Sequence, residues 1–129
     1  MLKRIKGYFN TYSLSFLSYT VGITILSLSR LDNRTPGLFR FEYADKLVHT
    51  VFYLFFTLLL GVAISKAKKR SLNRLELIWV GIVGLLYSGG VELAQKFLTN
   101  YRSAELADLG ANALGVLTGV IVLSRLKLA

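Results

Sequence analysis

The chain contains no cysteine, which excludes disulfides, thiolate zinc sites and cysteine nucleophiles and leaves the redox compartment open. It carries a single histidine, His49. With one imidazole and no thiol, any divalent ion held here would be an oxygen-loving one. Acidic residues are few, 7 against 16 basic ones, for a net charge of +9. Such a balance raises nucleic acid as a partner. The basic residues, however, fall between apolar segments instead of along one face, so anionic lipid and membrane topology account for them and no nucleic acid is expected. No nucleophile stands out either. Ser88 lies one turn below Glu92, but serine in a membrane helix ordinarily packs or bonds its own backbone.

What the chain has in quantity is hydrocarbon. With 53% hydrophobic residues among 129 and a mean hydropathy of +0.52, it is too short for two ordinary domains and too apolar for a typical soluble one. One membrane-embedded domain over residues 1–129 fits. Apolar segments at about 9–29, 45–65, 75–97 and 105–124 each approach the roughly 20 residues needed to span a bilayer. The expected fold is therefore all-α, an integral membrane bundle of four transmembrane helices. The basic start with Lys3, Arg4 and Lys6 also suits a cleaved signal peptide, but the first apolar run is longer than a usual signal core and Ser27-Leu28-Ser29 is a poor cleavage site. Ser15, Ser18 and Gly22 are small, helically spaced and read as a packing face of that first helix.

Between the first two segments, Asp32-Asn33 and Pro36-Gly37 signal turns, and Phe39, Phe41 and Tyr43 read as interfacial aromatics. Counting Lys and Arg sets the orientation. With both ends inside, the cytoplasmic side holds Lys3, Arg4, Lys6, Lys66, Lys68, Lys69, Arg70, Arg74, Arg125 and Lys127, ten residues, and the outer side holds Arg30, Arg34, Arg40, Lys46, Lys96 and Arg102, six. The consequence is that Asp45, Glu92, Glu105 and Asp108 all fall at the outer face of the membrane, where charge near hydrocarbon is expensive and usually functional.

Helical periodicity groups these residues. On the second helix Asp45, His49 and Tyr53 recur every four residues, which puts His49 about 6 Å deeper than Asp45. On the third, Gly81, Gly84 and Ser88 lead to Glu92 and Gln95; on the fourth, Asp108 and Asn112 lead to Gly115 and Gly119, beside Ala107 and Ala111. Narrow faces let backbones approach, so the three polar pairs are expected to meet at one level. Each feature also has a plainer reading. The glycine stripes serve packing, Glu92 and Gln95 can reach water from a helix end, Asp108 after an N-cap at Ser103 complements the helix dipole, and Asp45 can simply hold a buried His49.

The residues Asp45-Lys46-Leu47-Val48-His49-Thr50-Val51-Phe52-Tyr53 resemble the Asp-Lys-x-x-His-x-x-x-Tyr signature of VanZ-like membrane proteins. The second half resembles the same family through Glu92, Gln95, Arg102, Asp108, Asn112, Gly115 and Gly119. The likeness runs from Asp45 onward and departs at Asn100-Tyr101, where relatives often carry Pro-Gly before the arginine. It implies a small polytopic protein of the bacterial cytoplasmic membrane, linked through the founding member to teicoplanin resistance and hence to the cell envelope. It supplies no settled activity. Some relatives carry a phosphotransbutyrylase label, yet nothing in this chain looks like a coenzyme A or acyl phosphate site.

Three readings follow. In the first, an outer-face site binds or acts on the polar head of a lipid or lipid-linked envelope precursor. His49, Asp45, Glu92 and Asp108 are its acid/base candidates, and Arg102, Gln95, Asn112, Lys46 and Tyr53 its ligand-binding candidates, with Arg102 gripping phosphate by two prongs. No cofactor is required. In the second, the protein is a non-catalytic membrane partner, in a homo-oligomer or with another membrane protein, and Arg102 pairs internally with Asp108 or Glu92 to fix one helix arrangement. In the third, a divalent cation sits among Asp45, His49, Glu92 and Asp108. Four short helices with no broken pair give little support for a transporter.

Overall fold

The computed structural model describes residues 9–29, 44–99 and 105–128. The basic start, the segment from Arg30 to Tyr43 with its aromatics, and the segment from Asn100 to Ala104 with Arg102 and Ser103 lie outside the described residues. Four helices make up the bundle: α1 (Thr11–Leu28), α2 (Ala44–Lys68), α3 (Arg74–Leu98) and α4 (Leu106–Arg125). All four are long and apolar enough to cross a membrane, and among the described residues there is no strand.

Local chemistry explains the ends. Asn10 caps α1 by accepting from the Ser13 backbone N–H at 2.9 Å. At α3, Asn73 accepts from the Glu76 N–H (2.9 Å) while the Glu76 carboxylate accepts from the Asn73 N–H (2.8 Å), a reciprocal capping box. Helix α2 runs about one turn past the expected end at Ser65. It stops where Lys69 takes a left-handed conformation, φ 55°, and the Arg70 N–H reaches back to the Ser65 carbonyl. The Glu76 carboxylate then collects Arg70 and Lys68, tying the short connection to the start of α3. At α4 the cap position is Glu105, with no side-chain hydrogen bond. The helix therefore starts later than a Ser103 cap requires, and Asp108 falls at its third position, inside the first turn.

The contacts define an up-down-up-down path. Tyr19 meets Phe52 and Phe16 meets Phe56, so α1 and α2 run antiparallel. Asn112 meets His49, Gly115 lies against Thr50 and Leu54, and Gly119 against Thr57, so α2 and α4 run parallel. Val116 and Val120 face Gly84 and Gly81, which makes α3 antiparallel to α4. Of these pairs α2 with α4 is the most extensive, and α1 packs against α2 and α3. One end of the bundle thus gathers the starts of α2 and α4 and the finishes of α1 and α3. The other gathers Lys66, Lys68, Lys69, Arg70 and Arg74, with the C-terminal segment held there by Ser65 and Ser71 hydroxyls donating to the Leu128 carbonyl.

The distribution of polarity is inverted relative to a water-soluble bundle. Buried side chains include Ser27, His49, Thr57, Ser65, Ser88, Glu92, Gln95, Asp108 and Asn112, while Leu86 (71%), Phe97 (75%) and Leu106 (86%) stand exposed. An apolar exterior around a polar-containing interior suits hydrocarbon surroundings and would be costly in water. The stripes expected on α3 and α4 are the buried ones: Gly84, Ser88, Glu92 and Gln95 on the first, Asp108, Asn112, Gly115 and Gly119 on the second.

Helix α1 is different. Its Ser15 and Ser18 are exposed and nothing lies within 4 Å of a Cβ built at Gly22. The helix packs instead through Phe16, Tyr19, Ile23 and Ser27. The cause is what it faces. Phe56 stacks on Tyr87 (centroids 4.8 Å, 9°) and meets Phe16 edge-on at 5.1 Å, so α1 joins an aromatic layer that large side chains fill and small ones would leave hollow.

Candidate functional site

At the end of the bundle where α2 and α4 begin, three helices bring six of the nine anticipated side chains together. From α2, one turn apart, come Asp45, Lys46 and His49. From α4 come Asp108 and, one turn deeper, Asn112. From the last third of α3 comes Glu92. His49, Glu92, Asp108 and Asn112 are buried, Asn112 completely, whereas Asp45 is exposed.

The centre is a polar chain across all three helices. Asn112 donates its amide to Glu92 Oε1 at 3.4 Å and turns its oxygen toward His49 Nδ1, 2.9 Å away. The opposite amide orientation would set oxygen against carboxylate, so the Asn112 oxygen accepts and His49 Nδ1 carries the hydrogen. Glu92 Oε1 also faces that nitrogen at 3.6 Å. The second ring nitrogen, Nε2, is thereby aimed at the acidic mouth, 3.7 Å from Asp45 Oδ1. Glu92 Oε2 is buried with no hydrogen-bond partner among the described residues. A buried carboxylate oxygen without a donor is expensive and rarely tolerated without purpose.

The mouth is organised by Lys46. Its ammonium contacts Asp108 Oδ1, Glu105 Oε2 at 2.9 Å and Asp45 Oδ2 at 3.4 Å. One flexible cation therefore bridges the first turns of α2 and α4. The remaining anticipated residues stand apart. Gln95 is buried but donates to the Ser27 carbonyl of α1 (2.7 Å), satisfying one of the backbone oxygens that a helix end leaves without a partner. Tyr53 lies one turn below His49, packed near Phe56 and Tyr87 with centroids 6.1 and 6.4 Å away. Arg102 falls outside the described residues, and among those described the partner of Asp108 is Lys46.

Sequence reasoning missed Glu105 as a partner of Lys46. Its signal was its position three residues before Asp108, at the start of the same helix face. It also missed Thr50, whose hydroxyl lies within reach of two carbonyls, Lys46 on its own helix (2.9 Å) and Ala111 on α4 (3.2 Å).

Four helices long and apolar enough to cross a membrane, with a polar cluster gathered at one end, define a small multi-pass membrane protein. The sequence model of one family, VanZ/LLP1, matches residues 2–127, nearly the whole length, and the chain belongs to that family. No curated protein and no solved structure matches it.

Proposed function

We propose that the polar end of the bundle lies at the outer face of the bacterial cytoplasmic membrane and binds the polar head of a lipid or lipid-linked envelope precursor. The observation that carries this reading is the convergence of His49, Asn112 and Glu92 in the bundle interior, with one carboxylate oxygen lacking a donor among the described residues. Helix packing does not call for such a group, whereas a hydroxyl- or amine-bearing head group supplies the missing donor. Lys46, and Arg102 from the adjoining segment, would hold phosphate. His49 Nε2 with Asp45 is placed to move a proton at a bound head. Asn112 and Gln95, already engaged within the protein, position the site instead of gripping the ligand.

The second reading, a membrane partner without chemistry, draws on Lys46, which already pairs with three carboxylates inside the chain. Conservative substitutions separate the two. His49→Gln, Asp108→Asn and Arg102→Gln are expected to leave expression and melting in detergent nearly unchanged while abolishing an envelope phenotype such as glycopeptide sensitivity. Loss of folded protein in all three would favour the internal network, because stranding one member of a buried pair costs about 3–5 kcal/mol. Mass spectrometry of copurified lipid would name the head group.

Orientation has its own check, since the chain lacks cysteine and introduced thiols can be labelled without background. With both termini cytoplasmic, an impermeant reagent applied to intact cells should label Asn33→Cys and Asn100→Cys but not Ser71→Cys. The reverse pattern would move the site to the cytoplasm.

A further inference from the structure

The acidic mouth offers more than a lysine pocket. Asp45, His49 and Asp108 each present one ligand atom, and these atoms lie within 4.8 Å of one another. Ligands bound to one ion at about 2.1 Å stand at most about 4.2 Å apart. Asp45, 3.7 Å from His49 Nε2 and with its side chain 52% exposed, has room to adjust. Acid residues alone would not make a site. Two further observations point to a cation. First, the buried Asn112 and Glu92 engage the Nδ1 side of the His49 ring and so turn Nε2 toward Asp45, 3.7 Å away, on the side where the mouth opens. Second, Glu92 stands behind the ring, its Oε1 3.6 Å from His49 Nδ1 and its buried Oε2 unpartnered among the described residues. A carboxylate and an amide behind a histidine are the outer shell that metal-bound imidazoles characteristically have, holding the ring and raising its basicity.

We infer that Asp45, His49 Nε2 and Asp108 form a binding site for a divalent cation of the Mg2+/Mn2+ class, for which Lys46 is the built-in competitor. Two carboxylates and one imidazole suit such an ion better than thiophilic metals, and a three-ligand site leaves positions open for water or for the phosphate of a head group. The Lys46 ammonium occupies the carboxylates by contacting Asp108 and Asp45, yet its side chain is 28% exposed on a long stem and can swing outward toward the head-group layer when an ion enters. A cation here would let the acidic mouth accept an anionic head, which the carboxylates would otherwise repel. The inference stands on the geometry of the cluster and does not need the head-group reading to hold.

The test uses the full chain in detergent with Mn2+ as probe and no added lipid, so that failure here is distinct from failure to copurify a lipid. Pulsed EPR of bound Mn2+ should show coupling to one imidazole nitrogen, absent in His49→Gln. Lys46→Met should bind Mn2+ at least about tenfold more tightly than the wild type, since a competing charge within contact distance is removed, and should melt lower than wild type without the ion but recover with it. Asp108→Asn should lose at least about tenfold in affinity. Absence of Mn2+ binding to the wild type and to Lys46→Met, or binding without nitrogen coupling, or binding unaffected by Asp108→Asn, would overturn the inference. If Lys46→Met yields no folded protein under either condition, the nitrogen coupling in the wild type and its loss in His49→Gln decide the question.

Discussion

Replacing Gly115 by leucine is expected to leave almost no folded protein in detergent. A Cβ at this position would meet the Thr50 carbonyl oxygen at less than any real contact distance and the Leu54 nitrogen at 3.0 Å. Both are backbone atoms of α2 and cannot swing aside. Gly119 repeats the constraint one turn on, with Thr57 Cβ at 2.7 Å and the Leu54 carbonyl at 3.2 Å. The α2–α4 seam is therefore a close backbone approach, the device by which membrane helices gain packing when lipid is as apolar as leucine. Overpacking such a seam costs about 1–3 kcal/mol for a small intrusion and more when a backbone must move. Because His49 on α2 and Asn112 on α4 meet through this seam, opening it also dissolves the candidate site. Thermal melting and the yield of monodisperse protein measure the effect. Gly90→Ala is the control: nothing lies within 4 Å of its Cβ, so it should match the wild type or exceed it slightly through helix propensity. Wild-type melting of Gly115→Leu would mean that α2 and α4 do not pack as described.

The same seam shows what could be read from the chain and what could not. Four spans followed from hydropathy because hydrocarbon leaves few solutions for the backbone other than helices. The convergence of His49, Glu92, Asp108 and Asn112 followed from spacing: a polar residue inside an apolar helix is costly, and spacings of three or four put each next to a small-residue face that had to meet another. Helix α1 broke that logic. Its small residues Ser15 and Ser18 face outward, and Phe16, Tyr19 and Ile23 carry the packing, because an aromatic layer on α2 and α3 selects for volume. Gln95 could not be assigned from sequence either. Its partner is the backbone carbonyl of Ser27, and a carbonyl at a helix end leaves no mark in the side-chain pattern. Lys46 was a ligand-binding candidate from sequence, but its carboxylate partners on α4 were hidden for a geometric reason. Neighbours in sequence do not share a helix face, so its link to Asp108 and Glu105 depends on how α2 and α4 sit side by side, which periodicity on one helix does not reveal.

Asn112→Leu should be the most destabilising change within the polar cluster. Leucine matches asparagine in branching and heavy-atom count and favours helix more, so neither a cavity nor propensity explains a loss, and the extra bulk of its methyl groups is carried equally by the double variant that also replaces Glu92. What disappears is the group that satisfies two others. Asn112 is fully buried, donates to Glu92 Oε1 and accepts from His49 Nδ1. Without it, the ring hydrogen loses its nearest acceptor and a buried carboxylate loses its donor. Each stranded group costs about 1–3 kcal/mol, more than the bond itself contributes between membrane helices, where measured hydrogen bonds average about 0.6 kcal/mol. The double variant Glu92→Leu with Asn112→Leu then separates stranding from simple bond loss. Removing the carboxylate removes what was stranded, so the double variant should be more stable than Asn112→Leu alone, with a coupling of at least about 1 kcal/mol in a mutant cycle. Strictly additive losses would mean that Asn112 and Glu92 do not depend on each other, and the chain of contacts that holds His49 Nε2 toward Asp45 would have to be given up.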